Sequence, residues 1–550
     1  MALNCVGFVR GCGRGMVTDD GGGCAVTRWA EAPEQRNQLV LFSQLLDDSL
    51  PREHSVRLLD EILSRLDWSR WEAKYHAQLG QPAIHPRVLA SVLLYGLQTR
   101  IRSSRGLEEA LFVRVDFRWL AEGRTIDHTT LSEFRRKHAA ELKELFVQVV
   151  QLARRLELVS LERLGFDATR VRANNRRTGT RTPEELRKER DELAAQFEEH
   201  AQQAAAEDAR DEELFELRST HQLPEDLRDD ARRREQIEAT LVDLAQAQAE
   251  GRAVPKRVPI TDLESRVMPN KDGGHAPNYT PLATVDIASG LIVAEDVLNV
   301  VNEDGHLVPT VEDVRRRFDL AAPPEVLTDG LNGTGANLAA CAERGISLIS
   351  PCEVPDPAKN PALRADPTQA VPAADWDRLP VHPVKGSGPQ LDKSAFVYDA
   401  ERNCYWCPLG QPLTYRNSTS EACGSGRRLR SRYQAEKTAC AACPLRARCL
   451  QGKAPARQIN REQHEPHRER HAQKMATPEA RATYALRRHP GERPFAVIKH
   501  QFGLRQFLLR GLAGVRTEWG WAATAFNLHR LMSLLRSRAG PRLANVLFNL

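Results

Sequence analysis

The N-terminal part of the chain carries apolar residues at helical spacing. In SLPREHSVRLLDEILSRLDWS the apolar positions follow a 3.6-residue period, and they are Val56, Leu59, Ile62 and Leu66. Residues 86–100 are apolar on most sides, which predicts a largely buried helix. IRSSRGLEEAL, DFRWLAEG and TIDHTTLSEFRRKH predict shorter helices, with Thr125 or Asp127 as the cap of the last one. We therefore predict a helical domain over residues 39–150.

A strand pattern follows this helical part. In LERLGFDATRVRA, apolar residues separated by short polar ones predict a strand, and Asp167 lies inside it. An unpaired carboxylate is costly in a buried strand. Asp167 is therefore expected either to pair with Arg170 or Arg172, or to face a functional site.

Strands and helices alternate in the region that ends near residue 350. GHAPNYTPLATVDIASGLIVAEDVLNVV predicts two strands joined by a turn at 286–290. The next elements are predicted as helix, strand, helix and strand, at 308–318, 325–327, 336–344 and 346–349. Asp329 follows the strand at 325–327. Open α/β sheets place functional residues at this position, although an aspartate that only caps a helix gives the same pattern.

Residues 182–252 differ from their surroundings in composition. They are rich in Glu, Arg, Ala, Gln and Leu and nearly free of Gly. One long helix is predicted to begin near Glu184 and a second to cover 225–250, with Pro224 between them. We interpret the segment as a helical hairpin inserted into the α/β part, with its charges on a solvated face.

Composition and charge limit the classes of protein to which this chain can belong. The 550 residues are 41% hydrophobic and 27% charged, which is typical of a globular chain with several domains. The net charge of +5 permits nucleic-acid binding without requiring it. No apolar run reaches the roughly 18–20 residues that a membrane span needs. Residues 1–38 lack the apolar centre of a signal peptide, so we expect a disordered leader, or a start codon placed too far upstream, on an intracellular protein.

The short N-terminal helices have two interpretations. Helices that end in basic residues, such as the one ending in Arg135, Arg136 and Lys137, are typical of DNA-binding domains. A plain helical bundle with a charged face gives the same pattern.

Eleven cysteines need an interpretation other than disulfides in an intracellular protein. We assign residues 351–460 to a Pro-rich linker and a Cys-rich module. The module contains two C-x-x-C pairs, and their cysteines are Cys404, Cys407, Cys440 and Cys443. Such pairs chelate from tight turns, which predicts structural zinc, with Cys449 as the alternative fourth ligand. Unliganded thiols are the other interpretation.

One glutamate, Glu492, stands among basic residues in segment 484–516. These basic residues are Arg487, Arg488, Arg493, Lys499, Arg505, Arg510 and Arg516. Apolar residues at helical spacing lie between them, namely Phe495, Ile498, Phe502 and Leu509. Glu492 is then either part of a solvated helix with ordinary ion pairs, or a metal ligand beside a polyanion that the arginines bind.

With Asp167, Asp329 and Glu492 in this order, the chain resembles bacterial insertion-sequence transposases of the DDE class. Within that class it resembles the branch with a long insertion and a Cys-rich segment before the final glutamate. The resemblance covers about residues 40–535. It rests on SLPREHSVRLLDEI, GQPAIHPRVLASVLLYG, RSSRGLEEA, TIDHTTLSEFR, GFDATRVRAN, VLTDGLNGTGANL and ERPFAVIKHQFGLRQFLLRGLAGVRTEW.

The C-terminal signature of this family reads Tyr, two residues, Arg, three residues, Glu, six residues, Lys. Arg488, Glu492 and Lys499 fit this spacing. The tyrosine does not fit, because the expected position holds Ala485 and Tyr484 lies one residue earlier.

The resemblance implies an RNase H-like α/β fold, a mixed sheet with flanking helices, in two parts at 155–350 and 461–540. It implies that Asp167, Asp329 and Glu492 bind two Mg²⁺ or Mn²⁺ ions and catalyse phosphoryl transfer on DNA. Arg488 and Lys499 lie four residues before and seven residues after Glu492. On one helix these spacings would place both near the face of Glu492, where they would bind phosphates beside the scissile bond. The further DNA-binding residues would be Arg493, Arg505 and Arg510.

The implied partners are the terminal inverted repeats and a target, both double-stranded DNA, bound by a homodimer away from any membrane. The implied location is the bacterial cytoplasm, at the nucleoid. Three alternatives stay open: a metal-dependent nuclease of the same fold, a catalytically inactive DNA-binding derivative, and a zinc-ribbon binding protein with an unrelated helical body.

Overall fold

The computed structural model describes residues 45–75, 83–175, 179–215, 225–250, 254–270, 273–301, 303, 305–352, 359–384, 387–423, 426–450 and 454–539. The predicted leader at 1–38 and the predicted helix break at Pro224 lie outside these residues. The chain divides into two compact units, Met1–Ser49 and Leu50–Leu550. The described part of the first unit includes one 3₁₀ turn, Asp47–Ser49. The helices and strands below belong to the second unit.

The N-terminal part is helical, as its apolar periodicity predicts. Its helices are α1 Ser55–Ser64, α2 Ser69–Glu72, α3 Pro86–Gln98, α4 Ser104–Val113, α5 Val115–Leu120, α6 His128–Lys137 and α7 Ala139–Arg155. α1 buries Val56, Leu59 and Ile62 at the predicted spacing. Asp127, one of the two predicted caps, accepts a 2.8 Å hydrogen bond from the backbone N–H of Thr130 and so begins α6.

A mixed sheet follows, with helices between its strands. The elements are β1 Arg163–Ala168, β2 Val171–Arg172, β3 Thr180–Arg181, α8 Pro183–Phe215, α9 Glu225–Ala249, β4 Val258–Pro259, β5 Arg266–Pro269, β6 His275–Asp286, β7 Ile292–Leu298, α10 Leu307–Arg317, β8 Glu325–Leu327, α11 Gly335–Glu343 and β9 Leu348–Ile349. The strand order is β2-β6-β1-β8-β9, and β5 and β7 also pair with β6. The mixed α/β class predicted from the sequence is confirmed.

Strand direction divides this sheet into two parts. β1, β8 and β9 run parallel to one another, whereas β6 runs antiparallel to β1 and to β7. β6 and β7 meet at the predicted turn, where Gly290 has a φ of +72°. α8 and α9 pack on each other, and a small apolar cluster that includes Leu186 and Ile237 lies at their base.

The Cys-rich module has its own core. Its elements are β10 Val381–Val384, β11 Ser387–Leu391, β12 Val397–Asp399, β13 Cys404–Trp406, β14 Pro412–Cys423, β15 Gly426–Ala435, α12 Lys437–Ala441, α13 Arg446–Cys449 and β16 Gln458–Glu462. β12 to β16 form an antiparallel sheet in sequence order. Phe396, Tyr405, Tyr433 and Ile459 are buried in its core. The β14–β15 hairpin separates the two C-x-x-C pairs.

The C-terminal part returns to the mixed sheet. It contains α14 Glu465–Ala476, α15 Pro478–Ala485, α16 Arg493–Ala496, a π-helical turn Val497–Gln501 and α17 Gly511–Ala539. α17 packs on α3, α7 and β7. The buried Trp519 of α17 donates a 3.0 Å hydrogen bond to the carbonyl oxygen of Leu282, and Asn527 bonds both backbone groups of Ile292. The N-terminal helices, the sheet and α17 therefore share one hydrophobic core.

None of the helices in the described ranges, including the 29-residue α17, is both long enough and apolar enough to cross a bilayer.

Candidate active site

Two aspartates lie at the carboxyl ends of neighbouring parallel strands. β1 and β8 pair so that Gly165 stands opposite Leu327. Asp167 comes two residues after Gly165, and Asp329 two residues after Leu327. Asp329 lies beyond the end of β8, where it caps the 3₁₀ turn Gly330–Asn332 by accepting a 3.0 Å hydrogen bond from the backbone N–H of Leu331. The pairing of the strands, which lie about 4.8 Å apart, still brings both residues to one edge of the sheet. This is the sheet edge at which α/β proteins place functional residues.

The third carboxylate, Glu492, comes from a segment that packs on β1. A Cβ atom added to Gly165 would lie 3.9 Å from the Cα atom of Gly491, so the two backbones approach closely where neither has a side chain. Asp167 and Glu492 line one cleft of about 590 Å³. Asp329 is not among the described residues that line this cleft.

Glu492 does not lie inside a long helix, which corrects the sequence prediction. α15 ends at Ala485, turns occupy 486–492, and Glu492 takes the N-cap position of the short helix α16. Proline and glycine at 490 and 491 explain the break, since proline cannot donate a helical hydrogen bond and glycine weakens a helix. Arg488 lies in these turns, so its predicted place on one helix with Glu492 is wrong.

Asp167 has a partner that the sequence did not predict. The Arg487 guanidinium donates a 2.8 Å hydrogen bond from Nη2 to Oδ2 of Asp167. Their side chains are only 13% and 16% exposed. Asp167 thus both pairs with an arginine and faces the cleft, which the sequence treated as alternatives. The pair joins residues 320 positions apart, so no local pattern could indicate it.

A fourth carboxylate, Glu303, is buried beside the two aspartates. The side-chain amide of Asn332 donates 3.4 Å hydrogen bonds to Glu303 Oε1 and to Asp329 Oδ1. Burial raises the pKa of Glu303, and the charges of Asp329 and Asp167 raise it further. The sequence prediction missed Glu303, because nothing in its local pattern distinguishes it from a surface glutamate.

Two of the five predicted DNA-binding residues line the cleft. Lys499 donates a 2.5 Å hydrogen bond to the hydroxyl of Thr169, and Arg505 lies 2.7 Å from the imidazole Nδ1 of His500. The other three are exposed and are not among the described residues that line the cleft; they are Arg488, Arg493 and Arg510. Basic residues that the prediction did not assign to DNA also line it, namely Arg170, Arg172 and His500.

The donor chemistry of the site fits a divalent cation. Carboxylate oxygens are the ligands that Mg²⁺ and Mn²⁺ prefer, and Asp167, Asp329 and Glu492 supply them. The guanidinium on Asp167 shows that this carboxylate is placed to receive positive charge. In the described residues, no three His, Cys, Asp or Glu side chains are already arranged as metal ligands.

The cysteines of the module do not gather as the sequence predicted. Four of them line one small apolar cavity, and this thiol cluster consists of Cys407, Cys440, Cys443 and Cys449. Cys404 is buried in β13 and is not among the described residues that line the cavity. Cys404 and Cys407 are three positions apart, so an extended chain turns their side chains to opposite faces.

Comparison with known families adds two matches. Residues 44–137 match the family described as Transposase domain (DUF772), and residues 406–532 match Transposase DDE domain. A search among curated proteins gave no match. The first match lies over the N-terminal helices α1 to α6, and the second over the Cys-rich module from Trp406 onward, Glu492 and most of α17. Asp167 and Asp329 lie outside both matched ranges. These matches support the assignment of this chain to the insertion-sequence transposases of the DDE class.

Proposed function

We propose that this transposase binds the terminal inverted repeats of an insertion sequence and catalyses metal-dependent cleavage and transfer of their DNA strands. The observation that carries the proposal is that Asp167 and Asp329 lie at the carboxyl ends of the adjacent parallel strands β1 and β8, with Glu492 next to Gly491, which packs against β1. An RNase H-like core, interrupted by the α8–α9 hairpin and the Cys-rich module, would hold these three carboxylates in place.

The carboxylates would bind divalent cations, either Mg²⁺ or Mn²⁺. When bound, a pair of such ions supplies Lewis-acid activation of the attacking water or 3′-hydroxyl and stabilises the leaving oxygen. Asp167, Asp329 and Glu492 fix the position of the scissile phosphate relative to these charges. Arg487 would give up its bond to Asp167 as the cations arrive, and its guanidinium would then be able to face a phosphate.

The basic lining would bind the DNA backbone. Lys499 and Arg505 lie in the same cleft as Asp167 and Glu492, so their charges would lie beside the scissile phosphate of bound DNA. Arg170 and Arg172 extend this basic lining along β1 and β2. Phosphate contacts of this kind position DNA without reading its sequence. The exposed Arg488, Arg493 and Arg510, at the remaining predicted positions, would contact DNA outside the cleft.

Transposition acts on both ends of one DNA element. The two ends therefore have to be held next to each other during the reaction. We therefore propose that two copies of the chain act as a homodimer on paired ends, at the nucleoid where the DNA lies. Structural zinc, the second cofactor predicted from the sequence, would take no part in cleavage, because four thiolates leave no open coordination position.

The test uses the purified full-length protein with DNA that carries the inverted repeats flanking its gene. We expect Mg²⁺-dependent nicking at the repeat ends, and transfer of pre-cleaved 3′-OH ends into a target duplex. Asp329→Asn and Glu492→Gln should each lose at least about a thousandfold in both reactions while retaining DNA binding, by analogy with other losses of a catalytic group. Asp377→Asn and Glu343→Gln, at exposed positions, are the matched controls.

The outcomes separate the proposal from its alternatives. Cleavage without strand transfer identifies a nuclease of the same fold. Repeat-specific binding with no cleavage in either Mg²⁺ or Mn²⁺ identifies an inactive derivative. Undiminished cleavage by Asp329→Asn refutes the assignment of the carboxylates.

A further inference from the structure

In the turn that follows β13, a backbone N–H group points at the sulfur atom of Cys407. Gly410 donates a 2.9 Å hydrogen bond to the backbone carbonyl of Cys407, and the backbone N–H of Gln411 donates to Cys407 Sγ at 3.3 Å. Gly410 has a φ of +71°, and a Cβ atom there would lie 2.0 Å from the carbonyl oxygen of Thr368. Only glycine allows this turn, which therefore fixes the position of the Cys407 sulfur.

The second group of cysteines comes from a compact pair of helices. Cys440 lies in α12, Cys443 in the turn after it, and Cys449 at the end of α13. The backbone N–H of Arg446 donates a 3.0 Å hydrogen bond to the carbonyl of Cys443 and closes this turn. Together with Cys407, these cysteines line a cavity of about 40 Å³, which is room for an ion and not for a substrate.

The guanidinium group of Arg457 gives the wall of this cavity a positive charge. Arg457 lines it and donates hydrogen bonds to the carbonyl oxygens of Cys449, at 2.8 Å, and Leu391, at 2.9 Å. Its buried Nε has no hydrogen-bond partner among the described residues. A cation bound by four thiolates would leave a net negative centre, which this guanidinium would offset and its Nε could contact.

We propose that the thiol cluster binds one structural zinc ion, with Cys449 rather than Cys404 as the fourth ligand. The four described cysteines line one cavity but are not already arranged as metal ligands, so the turn after β13 and the two short helices would close around the ion on binding. Tetrahedral coordination by four thiolates is the usual arrangement of structural zinc. The ion would join the turn after β13 to the helices after β15, across the long β14–β15 hairpin. The module has a small core of its own, so the bonds to zinc would contribute directly to its folding free energy. The inference concerns the stability of the module and does not rest on the proposed cleavage chemistry.

The test measures the metal content of the full-length protein after expression in zinc-supplemented medium. We expect one zinc per chain for the wild type by elemental analysis. We also expect the intense visible absorption of tetrahedral cobalt thiolates after exchange with Co²⁺. Cys449→Ser should lower the zinc content at least severalfold and weaken the cobalt absorption. Cys404→Ser is the matched control, since it replaces a buried thiol of the same module, and it should retain one zinc.

Two results would overturn the proposal. A wild-type protein without stoichiometric zinc or cobalt refutes the site whatever the variants do. Zinc that is lost in Cys404→Ser and retained in Cys449→Ser refutes the ligand set. If Cys449→Ser does not yield folded protein, four mercurial equivalents per zinc released from the wild type support the four-thiolate site, and fewer contradict it. No DNA enters these measurements, so their failure leaves the proposed cleavage activity untouched.

Discussion

Replacing Glu295 with glutamine should make the protein more stable at alkaline pH. Glu295 lies on β7 and borders a cleft of about 760 Å³ between the sheet, α7, α10 and α17. Burial and the neighbouring charge of Asp296 raise its pKa from the ordinary value of 4.5 to about 7, although Lys143 and Arg317 nearby act in the opposite direction. The native state therefore holds the proton of Glu295 more tightly than the unfolded chain does.

The size and sign of the effect follow from this difference in pKa. Between 4.5 and about 7 it corresponds to about 3.4 kcal/mol, at about 1.36 kcal/mol for each tenfold change in proton affinity. The side chain keeps some contact with water in the cleft, which reduces the expected value to about 1–3 kcal/mol. This stability is fully present below pH 4.5 and is lost as the pH rises through about 7. Glutamine resembles the protonated carboxyl and does not titrate.

The assay is urea denaturation of the wild type and Glu295→Gln at several pH values between about 5 and 8.5. The variant should gain about 1–3 kcal/mol of unfolding free energy over the wild type at the alkaline end, and a much smaller amount at the acidic end. Glu343→Gln, exposed on α11, is the control and should show a difference that does not vary with pH. A pH-independent difference for Glu295→Gln, or a loss of stability at pH 8.5, would refute the reasoning.

Three further predictions concern the cap, the core and the ion pair. Asp127→Ala removes the acceptor for the Thr130 N–H and should cost about 1 kcal/mol in chemical denaturation, whereas Asp127→Asn should cost less. Phe166→Ala empties a fully buried position of β1 and should cost about 3–5 kcal/mol by the same measurement; a cost below 1 kcal/mol would contradict its burial. Arg487→Gln removes the cation that competes for Asp167, so Mn²⁺ titration followed by electron paramagnetic resonance should show binding at least about fivefold tighter, a gain of about 1 kcal/mol; unchanged affinity would show that Asp167 does not bind the ion.

Features that depend on neighbours along the chain were predictable from the sequence. The strand Glu325–Leu327 and the buried helix α3 were predicted within a few residues. Asp127 was one of two predicted caps, because a side-chain acceptor three residues before its donor is a local pattern. The two family matches confirm the resemblance to insertion-sequence transposases, which rested on motifs of this local kind.

The tertiary structure decided which side chains meet at a site, because this depends on the direction in which each strand face or turn points its side chains. Spacing alone made Cys404 a member of the thiol set, but its place in β13 separates it from Cys407, and the end of α13 brings Cys449 to the cavity instead. Spacing also assigned Arg488 to the face of Glu492. The break at 490–491 turns the chain so that Arg487 contacts Asp167 instead.

The carboxylates of the candidate active site show what the sequence determined and what the tertiary structure determined. The sequence by itself determined which carboxylates were candidates, because Asp167 lies in a strand pattern, Asp329 follows one and Glu492 stands alone among basic residues. Only the tertiary structure decided that Asp167 and Asp329 lie at one edge of the sheet, through the pairing of β1 with β8, and that Glu303 lies close to them. Pairing between strands and packing of backbones depend on residues far apart in the chain, and local periodicity carries no information about such contacts.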